Sequence, residues 1–245
     1  MTGTPGRPSH RDLPRTDDLD HPARLLLHGL RPLAAAIARS RWRVQVRGAE
    51  HVPRRGPVVL IGNHMGWLDG PLMAILSPRP VHALTKTEMF KGPMRPFLRA
   101  AGQIPVHRFE VDPLAVRTGV RVLRDGGVVG MFPEGTRGDG AVRRVRSGSA
   151  YLALVTGAPV VPLVFLGTRE YGGPNSSLPP VGSRLVLTYG PARSFPRDDW
   201  PRRTSVVSAV AEQHRQMLLE TLHEAQAATG MVLPGPIPDK KDDRD

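Results

Sequence analysis

The chain has 245 residues and a formal net charge of +12, from 34 Lys and Arg against 22 Asp and Glu, and it contains no cysteine. That length supports one large domain or two small ones, with a substantial core. The lack of cysteine excludes disulfides, thiolate metal sites, iron–sulfur clusters and cysteine nucleophiles, and it fits a reducing cytoplasmic address.

Residues 1–20 are polar, lack an apolar signal-like run and are expected to form a disordered arm. Residues 21–40 predict an amphipathic basic helix. Leu26, Leu30, Leu33 and Ile37 recur at helical spacing among Arg24, His28 and Arg31, and Pro32 is expected to kink or split it. Residues 21–60 carry eight Arg against the single Glu50, so this segment either rests on an anionic lipid surface or packs as an ordinary helix with a basic rim.

Trp42, Val44 and Val46 alternate as a strand, and residues 57–61 (PVVLI) read as a buried one. Helices are expected near 70–77, 93–101, 113–124 and 147–156. Strands are expected near 80–84, 103–107, 127–132, 159–166 and 184–189. A Gly-, Pro- and Ser-rich loop covers 168–183, and Val206, Val207, Val210, Met217, Leu218 and Leu222 mark a last amphipathic helix. Alternating elements with nearly continuous apolar strands predict an α/β fold. The expected form is a single layered domain over 41–230, with a mixed, mostly parallel sheet flanked by helices. Residues 231–245 are expected to be a disordered charged tail. No stretch reaches the roughly 20 apolar residues of a membrane span.

Two loops carry chemistry. Asn63-His64-Met65-Gly66-Trp67-Leu68-Asp69 follows a buried strand, where α/β folds place reactive groups. An Asp five positions after a His, around a turn, can hold the ring's Nδ1–H and leave Nε2 as a general base. His107 and Asp112 share that spacing, so the spacing alone does not single out the first pair. The second loop, Phe132-Pro133-Glu134-Gly135-Thr136-Arg137, follows another apolar strand. Arg137 can grip a phosphate and Gly135 permits close backbone approach. Ser147 and Ser149 lack a nucleophile-elbow context, and His51 and His82 lack metal-ligand spacing.

With these loops in order, residues 40–190 resemble the glycerolipid acyltransferases typified by 1-acyl-sn-glycerol-3-phosphate acyltransferase. The resemblance rests on NHMGWLD, KTEMFKGPMRPFLRAAGQIPVHR, FPEGTRG and GAPVVPLVFLGT. It implies that His64 is the base and Asp69 its orienting partner, with no acyl-enzyme. It implies that Glu134, Gly135, Thr136 and Arg137 bind substrate, and that Lys86 and Arg108 help hold its phosphate. Val161-Pro162 matches a block linked to acyl-chain contact, or else is plain core. The implied partners are a thioester of coenzyme A or acyl carrier protein as co-substrate, a lysophospholipid acceptor and an anionic membrane surface. No metal or other cofactor is implied, and no nucleic acid is expected. The implied location is peripheral, on the cytoplasmic face of the membrane, with phosphatidate as product; glycerol 3-phosphate or another lysolipid are alternative acceptors. Where the family commonly has serine, this chain has Gly66 and Gly138, which bears on acceptor choice. Two other readings are a basic nucleic-acid or membrane binder, explained by charge alone, and a hydrolase using the same His and Asp on water.

Overall fold

A computed structural model of the protein describes residues 13–238. In chain order the elements are α1 (Leu25–Gly29), α2 (Arg31–Arg41), β1 (Arg43–Arg47), β2 (Val58–Gly62), α3 (Asp69–Leu76), β3 (Val81–Lys86) and α4 (Met94–Ala100). There follow β4 (Ile104–Val106), α5 (Pro113–Arg124), β5 (Val128–Met131), α6 (Gly148–Thr156), β6 (Val160–Leu166), β7 (Arg184–Tyr189) and α7 (Thr204–Thr229). Short 3₁₀ turns at Ala49–His51 and Thr87–Met89 were not foreseen from periodicity.

The seven strands form one sheet in the order β1-β7-β6-β2-β5-β3-β4. Only β6 and β7 pair antiparallel; the other neighbours are parallel. This is the mixed, mostly parallel sheet expected from the sequence. The central strand β2 is buried along its whole length because helices cover both faces. Its side chains alternate between the two layers. Val59 and Ile61 join the cluster built with α5, α6 and α7, whereas Val58 and Leu60 join the one built with α2 and α3. In β2, Leu60 lies opposite Val161 on one side and Gly130 on the other. That register brings the C-terminal ends of β2 and β5 level, while β6 runs three residues further, so the loops after Gly62, Met131 and Leu166 leave the same edge of the sheet.

The N-terminal helical segment is split at Leu30, with Pro32 in the first turn of α2. Proline needs no N–H there, so its ring is tolerated. Leu27, Ala35 and Ala38 turn inward, whereas Leu25, Leu30, Leu33 and Ile37 are exposed. Among the described residues, no helix is long and apolar enough to cross a membrane.

The expected disordered ends differ from what is observed. Residues 1–12 and 239–245 lie outside the described residues, but 13–20 and 231–238 are packed. Arg117 donates to the Arg15 carbonyl and pairs with Asp18, while Arg124 donates to the Pro14 carbonyl and to Thr16 Oγ1. Polar arm and helix thus satisfy each other, and Thr16 is buried. In the tail, the Pro234 carbonyl accepts the Gly172 N–H at 2.9 Å, and Met231 and Leu233 pack on the core.

Asp112 closes the loop before α5. Its Oδ1 accepts the Ala115 N–H at 2.9 Å, and its Oδ2 accepts the His107 N–H at 3.0 Å. The second His–Asp spacing in the sequence is therefore a helix cap made through a backbone amide, not an imidazole–carboxylate pair. Asp112→Ala is expected to lower stability by about 1 kcal/mol, read by urea unfolding, with Asp112→Asn restoring most of the loss.

Candidate active site

The site starts from the end of β2. Asn63 is fully buried, accepts the Phe165 N–H at 2.8 Å and donates to the Phe165 carbonyl at 3.3 Å. A side-chain amide thereby extends the sheet pairing one residue past the strand and fixes where His64 leaves it. Asp69, at the first turn of α3, is fully buried and points back at the loop. Its Oδ2 lies 2.8 Å from His64 Nδ1 and also accepts the Met65 and Gly66 N–H groups at 2.7 and 2.8 Å. An ionised carboxylate only accepts, so Nδ1 carries the ring proton and Nε2 is left with a lone pair. The imidazole stacks on the Phe132 ring, with centroids 4.1 Å apart and planes 16° apart. Ring tilt and tautomer are thus both set before any substrate arrives.

The loop after β5 brackets His64 from below. The His64 N–H donates to Glu134 Oε1 at 2.9 Å, and the His64 carbonyl accepts the Gly138 N–H at the same distance. Glu134, expected to bind substrate, does not line the groove that exposes His64; its carboxylate is turned inward to the loop that carries His64. Burial pushes the Glu134 carboxyl up from 4.5 to about 7, against the pull of the His64 N–H and with added repulsion from Asp139 and Asp69. Thr136 also stands outside the groove lining. Gly135 adopts φ 77°, and a Cβ there would lie 2.5 Å from Arg146 Nε, so both its backbone and its neighbour require glycine.

His64 opens into a groove of about 1750 Å³. Lys86, at the end of β3, Arg108, after β4, and Gly135 and Arg137, after β5, all line it with His64. Three cations expected from the sequence therefore line the same groove as the imidazole. Arg108 reaches Glu88 Oε1 at 3.3 Å, and Arg137 donates to the Asn175 carbonyl at 3.0 Å. Arg146 lines the same space, and its guanidinium donates to the Arg108 carbonyl. Away from the cations the lining is apolar, with Leu84, Ala115, Val116, Met131 and Leu152 among its residues. Ser149 and His214 share a 2.9 Å hydrogen bond in the interface of α6 and α7. Burial pushes the His214 imidazole down to about 4, so it is neutral and buried away from His64. Val161 and Pro162, linked by resemblance to acyl contact, are buried strand residues outside the lining.

Arg169 was not singled out by sequence. It is 2% exposed and donates to the carbonyls of Gly173, Gly138 and Gly235. Burial draws its pKa down while Asp139 and Asp69 hold it up. One guanidinium thus ties the 168–183 loop and the chain's tail to Gly138, whose N–H holds the His64 carbonyl. Nothing in one arginine among many in a Gly- and Pro-rich loop could have marked it. Asn63 did carry a signal: a polar side chain directly after an apolar strand needs a buried partner.

Two outcomes are expected. In Glu134→Gln the amide oxygen still accepts the His64 N–H, but the titration is gone. Because the folded pKa lies above 4.5, the unfolded chain releases this proton first, and wild type loses stability relative to the variant as pH rises from 4.5 to about 7. Paired melting curves across that window read the slope, and a constant difference would contradict the burial effect. Arg169→Met leaves three carbonyls without their donor, which is expected to lower stability by about 1–3 kcal/mol, read by urea unfolding.

The chain is 30% identical to a 1-acyl-sn-glycerol-3-phosphate acyltransferase of Borreliella burgdorferi over 147 residues, covering 57% of this chain and 59% of that protein. It is 30% identical to the Bacillus subtilis protein of the same name over 126 residues, covering 51% and 63%. The chain thus spans about three fifths of the length of these relatives. The crystal structure of the 1-acyl-sn-glycerophosphate acyltransferase of Thermotoga maritima shares the fold, with a TM-score of 0.63 at 22% identity, over 82% of this chain and 80% of that one. The acyltransferase family profile matches residues 43–166, a stretch running from β1 to the end of β6 and including both loops of the site, and the chain belongs to the acyltransferase family.

Proposed function

We propose that the protein transfers a fatty acyl group from a thioester to the hydroxyl of a lysophospholipid, with 1-acylglycerol 3-phosphate as acceptor and phosphatidate as product. The observation that carries this reading is the pairing of Asp69 with His64 Nδ1 at 2.8 Å, on a groove that also exposes Lys86, Arg108 and Arg137. A base and three cations beside an apolar channel suit an acceptor with a hydroxyl, a phosphate and a chain.

His64 Nε2 takes the proton of the acceptor hydroxyl as its oxygen attacks the thioester carbonyl. The resulting imidazolium is stabilised by Asp69, whose own charge is held by the Met65 and Gly66 amides. Collapse of the tetrahedral species breaks the carbon–sulfur bond. The imidazolium returns its proton to the departing thiolate, so ester and free thiol form and the base is regenerated. The oxygen nucleophile comes from the acceptor, and no acyl-enzyme is needed. Arg137, Lys86 and Arg108 neutralise the acceptor phosphate. Coenzyme A and acyl carrier protein thioesters are both strongly anionic and suit the basic surface as donors. The scheme calls for no cofactor beyond that co-substrate.

The acceptor lives in a bilayer, so the enzyme works at a membrane surface, on its cytoplasmic face. The exposed Leu25, Leu30, Leu33 and Ile37 of the N-terminal helices rest there, with neighbouring arginines among anionic headgroups.

The test is thiol release from palmitoyl-coenzyme A with lysophosphatidate, against acceptor-free and glycerol 3-phosphate controls. The chain has no cysteine and adds no thiol background. His64→Ala is expected to slow release by roughly 10²–10⁴-fold. Release without acceptor would replace the transferase reading with a thioesterase. Release that survives His64→Ala would remove the assigned base.

A further inference from the structure

The α4 helix buries only Leu98 of its larger side chains. Met94 and Phe97 are 37% and 49% exposed, and Lys91, Arg95 and Arg99 stand exposed around them. A helix of seven residues is too short to hold itself in water, and its contacts reach little beyond α1. The loop at 107–112 repeats the pattern. Its base is fixed by Asp112, which grips the His107 N–H and caps α5, and its tip presents Phe109 and the 89% exposed Val111, followed by Leu114. Arg108 sits over the Phe109 ring, 5.2 Å from its centroid. Rigid presentation of apolar tips to water, at the rim of a site, marks an interaction surface rather than a packing defect.

We infer that α4 and the 107–112 loop form a second lipid-contacting foot, which inserts Met94, Phe97, Phe109 and Val111 into an anionic bilayer beside the groove mouth. The inference rests on the lysolipid reading and deepens it. All four residues line the same groove as His64 and as Leu30, Leu33 and Ile37 of the N-terminal helices. α4 packs beside α1, and both apolar surfaces border the one groove. The occupant is read from charge. Residues 91–107 carry Lys91, Arg95 and Arg99 and no acidic residue, and long cationic side chains beside apolar tips suit the headgroup boundary of a membrane. With lipid on this side as well, the groove opens into the acyl layer, and an acceptor enters along its own chain without crossing water.

The absence of cysteine makes the test direct. Val111→Cys carries an environment-sensitive dye, and Gln213→Cys, on the exposed face of α7 outside the groove, carries the same dye as control. Each is titrated with equal mixtures of phosphatidylglycerol and phosphatidylcholine and with phosphatidylcholine alone. The dye at 111 is expected to shift to the blue on the anionic vesicles only, and the dye at 213 to stay unchanged. A Met94→Ser/Phe97→Ser variant, checked for an unchanged melting curve, is expected to partition onto anionic vesicles about tenfold more weakly or worse, since two apolar side chains no longer leave water. Wild-type-like partitioning of that variant with a silent dye at 111, while Leu33→Ser/Ile37→Ser still weakens binding, overturns this foot and leaves the N-terminal contact standing. Failure of wild type to bind either vesicle overturns both lipid contacts. A dye response that tracks protein concentration without lipid overturns the foot in favour of a second copy of the chain.

Discussion

One oxygen atom carries the site. Asp69 Oδ2 receives the imidazole N–H and two consecutive backbone amides, all within 2.8 Å, on a side chain with no exposure to solvent. Such a carboxylate is costly to bury unless donors surround it, and here the donors come from the very loop that it shapes. The loop cannot relax without stranding the charge, and the charge cannot leave without unfolding the start of α3. Folding and placement of the imidazole are therefore one event. The position of Asp69 in the first turn of α3 helps, since a helix N-terminus favours a negative charge.

The rest of the structure holds that knot at the right height. Asn63 fixes the loop to β6, Glu134 and Gly138 hold the two backbone groups of His64, and Arg169 holds Gly138. The contacts come from the loops after three neighbouring strands, β2, β5 and β6, so the site exists only because the sheet order sets those loops side by side. The sequence spacing of His64 and Glu134 has no geometric meaning by itself. It acquires one because β2 and β5 are hydrogen-bonded neighbours.

The elements were largely legible because this chain's strands are buried on both faces. A run such as residues 58–62 has few alternatives to a central strand, and Pro32 marks a helix break wherever the segment sits. His64 and Asp69 were also legible, since both partners lie in one turn. What could not be read was any contact formed by register rather than by spacing. Glu134 reads as a ligand group in a loop, yet its carboxylate faces inward. Asp112 forms the same spacing with His107 and uses it for a backbone amide. The ends of the chain were misjudged for a related reason. Residues 13–20 are polar, but arginines on α5 offer them partners that composition does not reveal.

Gly66 shows how far this logic reaches. A Cβ at that position would lie 2.7 Å from the Thr168 carbonyl oxygen and 3.5 Å from the Arg169 Cβ, so the loop after β6 presses directly on the backbone that donates to Asp69. A serine at 66 would have to push Thr168 away or lift its own N–H from the carboxylate. Moving Thr168 would also move Arg169, and with it the carbonyl of Gly138. Glycine at 66 and buried arginine at 169 are therefore parts of one local solution. It closes the loop of His64 by backbone contact against the 168–183 loop, where a hydroxyl side chain would need space that this chain does not leave.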